Sequence, residues 1–393
     1  MFKLNPQDPT AVMPLAKCLL NLSGFRQDTP QHRRAIFLNL FVFITVVFIP
    51  KTCFPYPDTE TLIRSLGELI FFANVCMGFY CLTLQQSHYR ELLDNIETFV
   101  NAVYRSEYSP QQEKLITVNR KIQKLSAMLC YYVALSAVIF WLVPCLMTYR
   151  SLYIAAATPN GSDTSAHFYQ ILDATFYWLD NRQSVVGYVI YSVIIVLALY
   201  FASYNYVAKL CTIFSSIKYC SILLQLVGLG IAKLDDIPTE TTEREMKKIV
   251  QMHNIALRCA TLVERMVNPV MALQFALSLL TWSLVLLYTV LVGFDVNVLN
   301  GCFIMCNMTM EMYGYCFLGT ELATTGANIA RQSYQFQWEQ HSPAVQRMVQ
   351  MVMVRSQKPF QITAGGLITV NVEQFAKAVR TSYSVLILLK DLI

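Results

Sequence analysis

The chain has 393 residues, 55% of them hydrophobic and only 14% charged, with a mean hydropathy of +0.42. These values lie far from the soluble average and mark a polytopic membrane protein of all-α class, because a hydrocarbon layer about 30 Å thick admits helices of roughly 18 to 25 apolar residues and little other backbone. The net charge of +5 is small and dispersed, so nucleic acid is not implied.

In chain order, residues 1–34 read as a cytoplasmic segment. Met1 to Asp8 lacks the apolar core and small-residue cleavage site of a secretory signal, so span one is expected to serve as the targeting signal. An amphipathic stretch, Ala16 to Phe25, precedes the basic cluster His32, Arg33 and Arg34 and then span one, Ala35 to Cys53. Pro55 and Pro57 mark a short loop before span two, Leu62 to Gln85, whose periodicity runs on without a breaker to Tyr104. Span three covers Leu125 to Thr148. Span four covers Val185 to Leu210, with apolar periodicity lasting to Leu229 before the Asp235-Asp236-Ile237-Pro238 break. The charged, periodic segment Thr242 to Val267 feeds span five, Pro269 to Gly293, and span six runs from Cys302 to Asn328. Residues 35–329 thus hold six spans. Residues 330–368 form a cytoplasmic segment, and 369–393 a final helix.

Lys and Arg fall mainly on one side, within residues 3–34, 90–124, 209–265 and 331–358, Lys209 included; the other side holds little beyond Lys51, Arg64, Arg150 and Arg182. The positive-inside rule then places the N-terminus in the cytosol, and a seventh span leaves the C-terminus outside. Asn160-Gly161-Ser162 is an acceptor sequon on the expected outer side, making Asn160 the candidate glycosylation site, whereas the sequons at Asn21 and Asn307 fall in the cytosol and inside span six. Helices two, four, five and six all project below the membrane. Their apolar positions Phe99, Tyr104, Ile213, Tyr219, Leu223, Ile249 and Met252 are expected to form a cytosolic bundle suited to oligomerisation.

Motifs for chemistry fail on context. Gly228-Leu229-Gly230 lacks a preceding strand, and Ala364-Gly365-Gly366 lacks the Lys-Ser/Thr of a phosphate loop. Five histidines are scattered over different loops, so neither a metal site nor a catalytic triad can be drawn; no enzyme and no cofactor is expected. Twelve cysteines show no C-x-x-C pair and mostly lie within apolar runs as packing residues, with one outer bridge among Cys53, Cys145 and Cys302 left open. A G-protein-coupled receptor is disfavoured by the inverted topology, by the absence of Asp/Glu-Arg-Tyr after span three, and by Asn268-Pro269 standing at the start of span five. A secondary transporter would show internal repeats and interrupted spans, which are not seen.

The last eighty residues carry Tyr315-Cys316 with Gly319 and Glu321-Leu322, then Tyr334 and Trp338, the Arg355-Ser356-Gln357-Lys358-Pro359 turn, Thr363-Ala364-Gly365, and Phe375 before Tyr383-Ser384. In these residues, their spacing, the chain length and the inverted topology, the chain resembles the insect odorant receptor family. The short loop from Leu229 to Thr242 is unlike the long insertion of the shared co-receptor, so the resemblance is to a ligand-tuning subunit. What it implies is an odorant-gated, non-selective cation channel in the plasma membrane of a sensory dendrite. The tuning subunit and the co-receptor form a tetramer around one pore, the seventh helix is split, and membrane lipid surrounds the assembly. A gustatory-type homomeric channel is the alternative.

The split has a physical trace. Ser342 to Gln357 is sixteen residues, about 24 Å as helix, and ends at Pro359. The final helix carries Glu373, Lys377 and Arg380, which a lipid-facing span would hold at several kcal/mol each. The resemblance places Val385 and Leu389 at a hydrophobic gate, with Leu388 where the co-receptor has a polar residue; a spacing of four puts Val385 and Leu389 on one face, which equally suits packing on helices five and six. It also implies a cavity in the outer half of the membrane between helices two, three, four and six. At that depth stand Phe72, Val75 and Cys76; Ser136, Ile139, Phe140 and Val143; Tyr188, Tyr191 and Ile195; and Met305, Met308, Thr309 and Met312. Aromatic and Met walls with a few hydroxyls suit a small volatile ligand, though each residue alone equally suits interhelical packing. Glu321, near the inner end of span six, reads as a structural residue that snorkels or pairs with a cytoplasmic Lys or Arg.

Overall fold

The computed structural model describes residues 11–22, 30–105, 109–157, 166–293, 296–358 and 360–392. Asn160 and Pro359, singled out above, lie outside them. Helix α1 (Pro14–Leu22) is the amphipathic stretch, and it lies on the inner bundle: the Tyr219 hydroxyl meets the Met13 amide at 3.4 Å and Tyr204 donates to the Leu19 carbonyl. Span one is α2 (Pro30–Val42), a π-helical segment Phe43–Phe48, and α3 (Ile49–Thr52). Pro50, which has no N–H to give, follows this widened turn directly.

Span two is α4 (Thr59–Leu84), 26 residues and about 39 Å long. It starts at Asp58, whose carboxylate accepts the Thr61 amide at 2.6 Å; hydrogen bonds from Thr61 hold this exposed carboxyl below the usual carboxylate range. The expected unbroken continuation to Tyr104 is corrected at Gln85, where φ −92° and ψ 20° end α4 before α5 (Gln86–Arg105).

The next four helices are α6 (Ser109–Ala157), α7 (Val185–Ala232), α8 (Thr239–Val292) and α9 (Val296–Gln335), of 49, 48, 54 and 40 residues. At 1.5 Å per residue they are roughly 60 to 81 Å long, at least twice the hydrocarbon thickness. Helix α6 therefore projects as well, which the sequence reading had not included. Helix α8 is the centre of the bundle and packs on α4, α5, α7 and α9. Among the described residues four helices are long and apolar enough to cross a membrane (Thr59–Leu84, Pro110–Ala157, Val185–Asp236 and Thr239–Val292), and Ile36–Thr52 is a shorter apolar helix. Helix α9 falls outside this set partly because Asn300, Asn307 and Glu311 are polar, and all three are buried against protein rather than turned to lipid.

Phe99, Ile213, Tyr219, Leu223 and Ile249 are buried within this one chain, with Tyr104 and Met252 packed against them, as the interior of a helical bundle requires. One expectation changes here. Lys209, counted with the cytoplasmic positive charges, is fully buried inside the bundle and paired with Glu311. All twelve cysteines are free.

The seventh span is split. Helix α10 (Pro343–Gln357) begins at Ser342, whose hydroxyl accepts the Val345 amide, and α11 (Val372–Leu392) follows a two-stranded hairpin, β1 (Thr363–Ala364) with β2 (Ile368–Thr369). The hairpin is a small exception to the all-α expectation, and it moves the start of the last helix from Thr369 to Val372. Gly365 and Gly366 turn it with φ +62° and +72°, a region that only glycine enters freely. It docks where Pro269 interrupts donation along α8: the Gly365 amide reaches the Asn268 carbonyl at 3.4 Å, and Thr363 Oγ1 accepts from Asn268 Nδ2 at 2.8 Å and donates to Glu264 Oε1 at 2.7 Å.

Candidate ligand cavity and pore-facing helix

At the outer ends of the helices the segment 166–184 folds inward as a lid. Phe168, Ile171, Leu172 and Phe176 are buried beneath it, while Trp178 at its tip is 95% exposed. Gln170 and Asn181 bridge the lid through paired amides at 2.7 and 2.9 Å, and the Tyr191 hydroxyl both donates to the Leu172 carbonyl at 2.5 Å and accepts the Leu172 amide at 2.9 Å. Tyr188 donates to the Tyr169 carbonyl at 2.9 Å.

A buried ion cluster clamps this lid to spans one and two. Lys51 Nζ reaches Glu68 Oε2 at 2.6 Å and the Asp173 carbonyl at 2.8 Å; Arg64 reaches Glu68 Oε1 at 3.0 Å, Asp173 Oδ2 at 3.4 Å and the Gln170 carbonyl at 2.9 Å. Arg182 closes the set on Asp173 Oδ1 at 2.7 Å. Three of the four basic residues that stood as exceptions on the outer side are thus one structural device. Such buried charges persist only when paired and hydrogen-bonded, and losing one partner costs about 3–5 kcal/mol.

Beneath the lid a cavity, open in part, lies between α4, α6, α7 and α9. Phe71, Phe72 and Val75 form one wall, Val133 and Phe140 the facing one, and Ser136, Ser203, Tyr206 and Asn307 add polar groups. The Tyr206 hydroxyl donates to the Asn307 carbonyl at 3.1 Å, tying α7 to α9 at the floor. Just below it Lys209 and Glu311 meet at 2.7 Å, both 0% exposed; Tyr315 donates to Glu311 Oε1 at 2.8 Å. The contact is one of charge, because neither Lys209 Nζ nor Glu311 Oε2 has an aligned hydrogen bond among the described residues. Apolar and aromatic walls with a few polar groups have the chemistry of a site for a small, mostly hydrophobic molecule.

Helix α9 carries this floor toward α11. A Cβ on Gly319 would lie 2.2 Å from the Val370 carbonyl, so the two backbones touch, and Thr320 Oγ1 accepts the Val372 amide at 3.1 Å. Phe375 then stacks edge-on against Trp282 and Tyr313, with centroids 6.2 and 5.4 Å away. Along α11, Ala378, Ser382 and Leu386 are buried against α8 and α9, while the opposite side exposes Glu373, Lys377, Arg380, Ser384 and Leu388. Charged side chains such as Glu373, Lys377 and Arg380 are costly and rare on a helix face turned to lipid. Val385 and Leu389 are half-buried at the edge of the packed side, Leu389 against Leu386, Leu287 and their neighbours, and Leu388 is 64% exposed.

Residues 58–383 match the family model described as 7tm odorant receptor. The chain belongs to the odorant receptor family. Among its relatives in Drosophila melanogaster, odorant receptor 24a is 26% identical over 40% of this chain and 38% of its own length, and odorant receptor 94a is 26% identical over 44% of this chain and 45% of its own length. The match thus spans less than half the length of these curated relatives. The insect olfactory receptor OR5 from Machilis hrabei, in complex with eugenol, superposes with a TM-score of 0.72 over 97% of this chain and 98% of that one, at 16% identity. A second structure of that receptor gives 0.71. The shared fold is the seven-helix architecture, and the odorant receptor described here is a multi-pass membrane receptor rather than an enzyme.

Of the residues singled out in the sequence, this odorant receptor brings Phe72, Val75, Ser136 and Phe140 together on the cavity wall. Cys76 and Ile195 face a second, smaller cavity on the other side of Phe72. Tyr188 and Tyr191 hold the lid instead of lining either space. Met308 and Met312 are buried, the Met308 sulfur accepting Asn74 Nδ2 at 3.4 Å, while Ile139, Val143, Met305 and Thr309 are half-buried on α6 and α9 and line neither of these two cavities. Glu321 pairs with Lys218. Sequence reasoning missed Ser203, Tyr206 and Asn307, and the Lys209–Glu311 pair. A signal for the pair existed: two opposite charges, each alone within an apolar run, call for each other.

Proposed function

We propose that this chain is a ligand-tuning subunit of an odorant-gated, non-selective cation channel, with a small, mostly apolar volatile held in the cavity beneath the lid. The observation that carries this reading is the continuity of α9, which forms the cavity floor at Asn307 and docks on α11 at Gly319. A ligand that fits one arrangement of α9 better than another shifts the population of α11 with it. The polar outward stripe of α11 supports a water-lined pore shared with neighbouring subunits, in which Leu388 faces the axis most directly and Val385 and Leu389 border it. The eugenol carried by the Machilis hrabei receptor supports a ligand of similar size. A co-receptor completes the channel in the plasma membrane of a sensory dendrite.

Expression in oocytes with and without a co-receptor, under a panel of volatiles, tests the reading. Odour-evoked cation current only from the pair is expected. Current from this chain alone replaces it by a homomeric channel, and saturable uptake without current refutes both.

A further inference from the structure

The lid narrows at residues 176–179 into a tight turn, closed by the Leu179 amide on the Phe176 carbonyl at 3.0 Å. Its second residue, Tyr177, has φ +53°, a region that glycine and asparagine enter readily and a bulky aromatic does not. The reason lies in span one. Carbonyls of its π-helical segment take their donor from five residues ahead, as Ile44 does from the Ile49 amide, but for Thr45 that residue is Pro50, which has no N–H. The Tyr177 hydroxyl takes the place at 2.6 Å, with its ring edge-on to Phe54 at a centroid distance of 5.7 Å. Holding Tyr177 inward sends the next side chain outward: Trp178 is 95% exposed, more than any other large hydrophobic side chain among the described residues.

Three contacts fix the depth of this turn. Thr45, the partner of Tyr177, stands seven residues before Thr52 at the end of α3, about 10 Å at 1.5 Å per residue. Thr175 donates to the Pro55 carbonyl at 3.3 Å, just past that helix end. A Cβ on Gly187 would lie 2.0 Å from the Asp180 carbonyl, so the chain leaving the turn lies directly on the first turn of α7. The turn is therefore level with the outer ends of span one and α7, not above them. Both helices turn apolar side chains outward there, Ile44 and Phe48 on span one and Val185, Val186 and Val189 on α7, and Trp178 continues this lipid-facing surface.

We propose that Trp178 is a membrane anchor, its indole seated between the headgroups and acyl chains of the outer leaflet and fastening the lid to the bilayer. An indole suits that layer because its ring is apolar and its N–H donates, here to the ester carbonyls of phospholipid. In water the same ring would stand hydrated at the tip of a turn that strains its neighbour, with no contact to offset the strain. The anchor does not rest on channel gating, and a failure to record current leaves it standing.

The test is tryptophan fluorescence of the full-length receptor in phosphatidylcholine nanodiscs, where the difference between the parent and Trp178→Phe isolates this indole from Trp141, Trp282 and Trp338. That difference signal is expected to be lost in nanodiscs whose acyl chains are brominated near the ester end, to survive bromination near the methyl end, and to resist iodide in the buffer. Trp178→Phe removes an exposed side chain and breaks no buried contact, so both proteins fold alike. Stronger quenching by iodide than by ester-end bromine places the indole in water, and quenching by neither places it against protein, a neighbouring subunit included. Either result, or equal quenching at both bromine depths, overturns the proposal.

Discussion

Replacing Lys209 by methionine isolates an ion pair that lies wholly inside the helical bundle. Lys209 Nζ and Glu311 Oε1 are 2.7 Å apart with both side chains at 0% exposure, so removing the ammonium strands a carboxylate with no water to receive it. Losing one member of such a pair costs about 3–5 kcal/mol. At about 2 °C per kcal/mol for larger chains, the melting temperature of the detergent-solubilised receptor falls by roughly 6–10 °C. The double variant Lys209→Met/Glu311→Leu removes the stranded charge too. It is expected to recover to within about 2 °C of the parent, because a packed apolar pair is close to neutral against a buried ion pair whose hydrogen bonding is incomplete. Fluorescence-detected size-exclusion after a heating series measures all three proteins. A Lys209→Met variant that melts with the parent, or a double variant no more stable than the worse single, refutes the claim that the pair is dry and mutually dependent.

Gly319→Ala drives a Cβ to 2.2 Å from the Val370 carbonyl, a backbone atom that cannot step aside, and is expected to lower stability by about 1–3 kcal/mol, whereas Gly67→Ala, whose Cβ meets side chains at 3.7 Å, is tolerated; the same heating series reads both. Tyr191→Phe leaves the Leu172 amide and carbonyl without their partner and should loosen the lid by about 1–3 kcal/mol, seen as faster amide exchange across 168–176, with unchanged exchange counting against the clamp. On α11, a cysteine at Leu388, 64% exposed, is expected to react with a water-soluble thiol reagent at least about tenfold faster than one at Leu386, 8% exposed, in the co-expressed channel measured against the parent; equal rates would remove α11's open face from the pore.

Much of the architecture is legible in the chain because membrane helices obey two local rules. Apolar runs of sufficient length place spans two to five each on one helix long and apolar enough to cross a membrane, and the overrun of span four to Leu229 lies in a helix that ends at Ala232. Ser342 opens α10 in the same local manner, since a hydroxyl cap acts within one turn. The site is legible only in part. Phe72, Val75, Ser136 and Phe140 sit at the right depth and also at the right rotation, whereas Tyr188 and Tyr191 share the depth but turn to the lid. Depth along a helix follows from counting residues; rotation follows from which neighbours pack on which side.

The amino-acid sequence by itself determined that this protein is a bundle of membrane-crossing helices with a polar, split final helix, because hydrophobicity and helix breakers act along the chain at short range. Only the tertiary structure decided that Lys51, Arg64, Glu68, Asp173 and Arg182 form one clamp, that Lys209 belongs to Glu311 and not to the cytosol, and that a second space lies behind Phe72. Those are contacts between residues up to about a hundred positions or more apart, and a charge or a void gains its meaning from partners that the local chain does not contain.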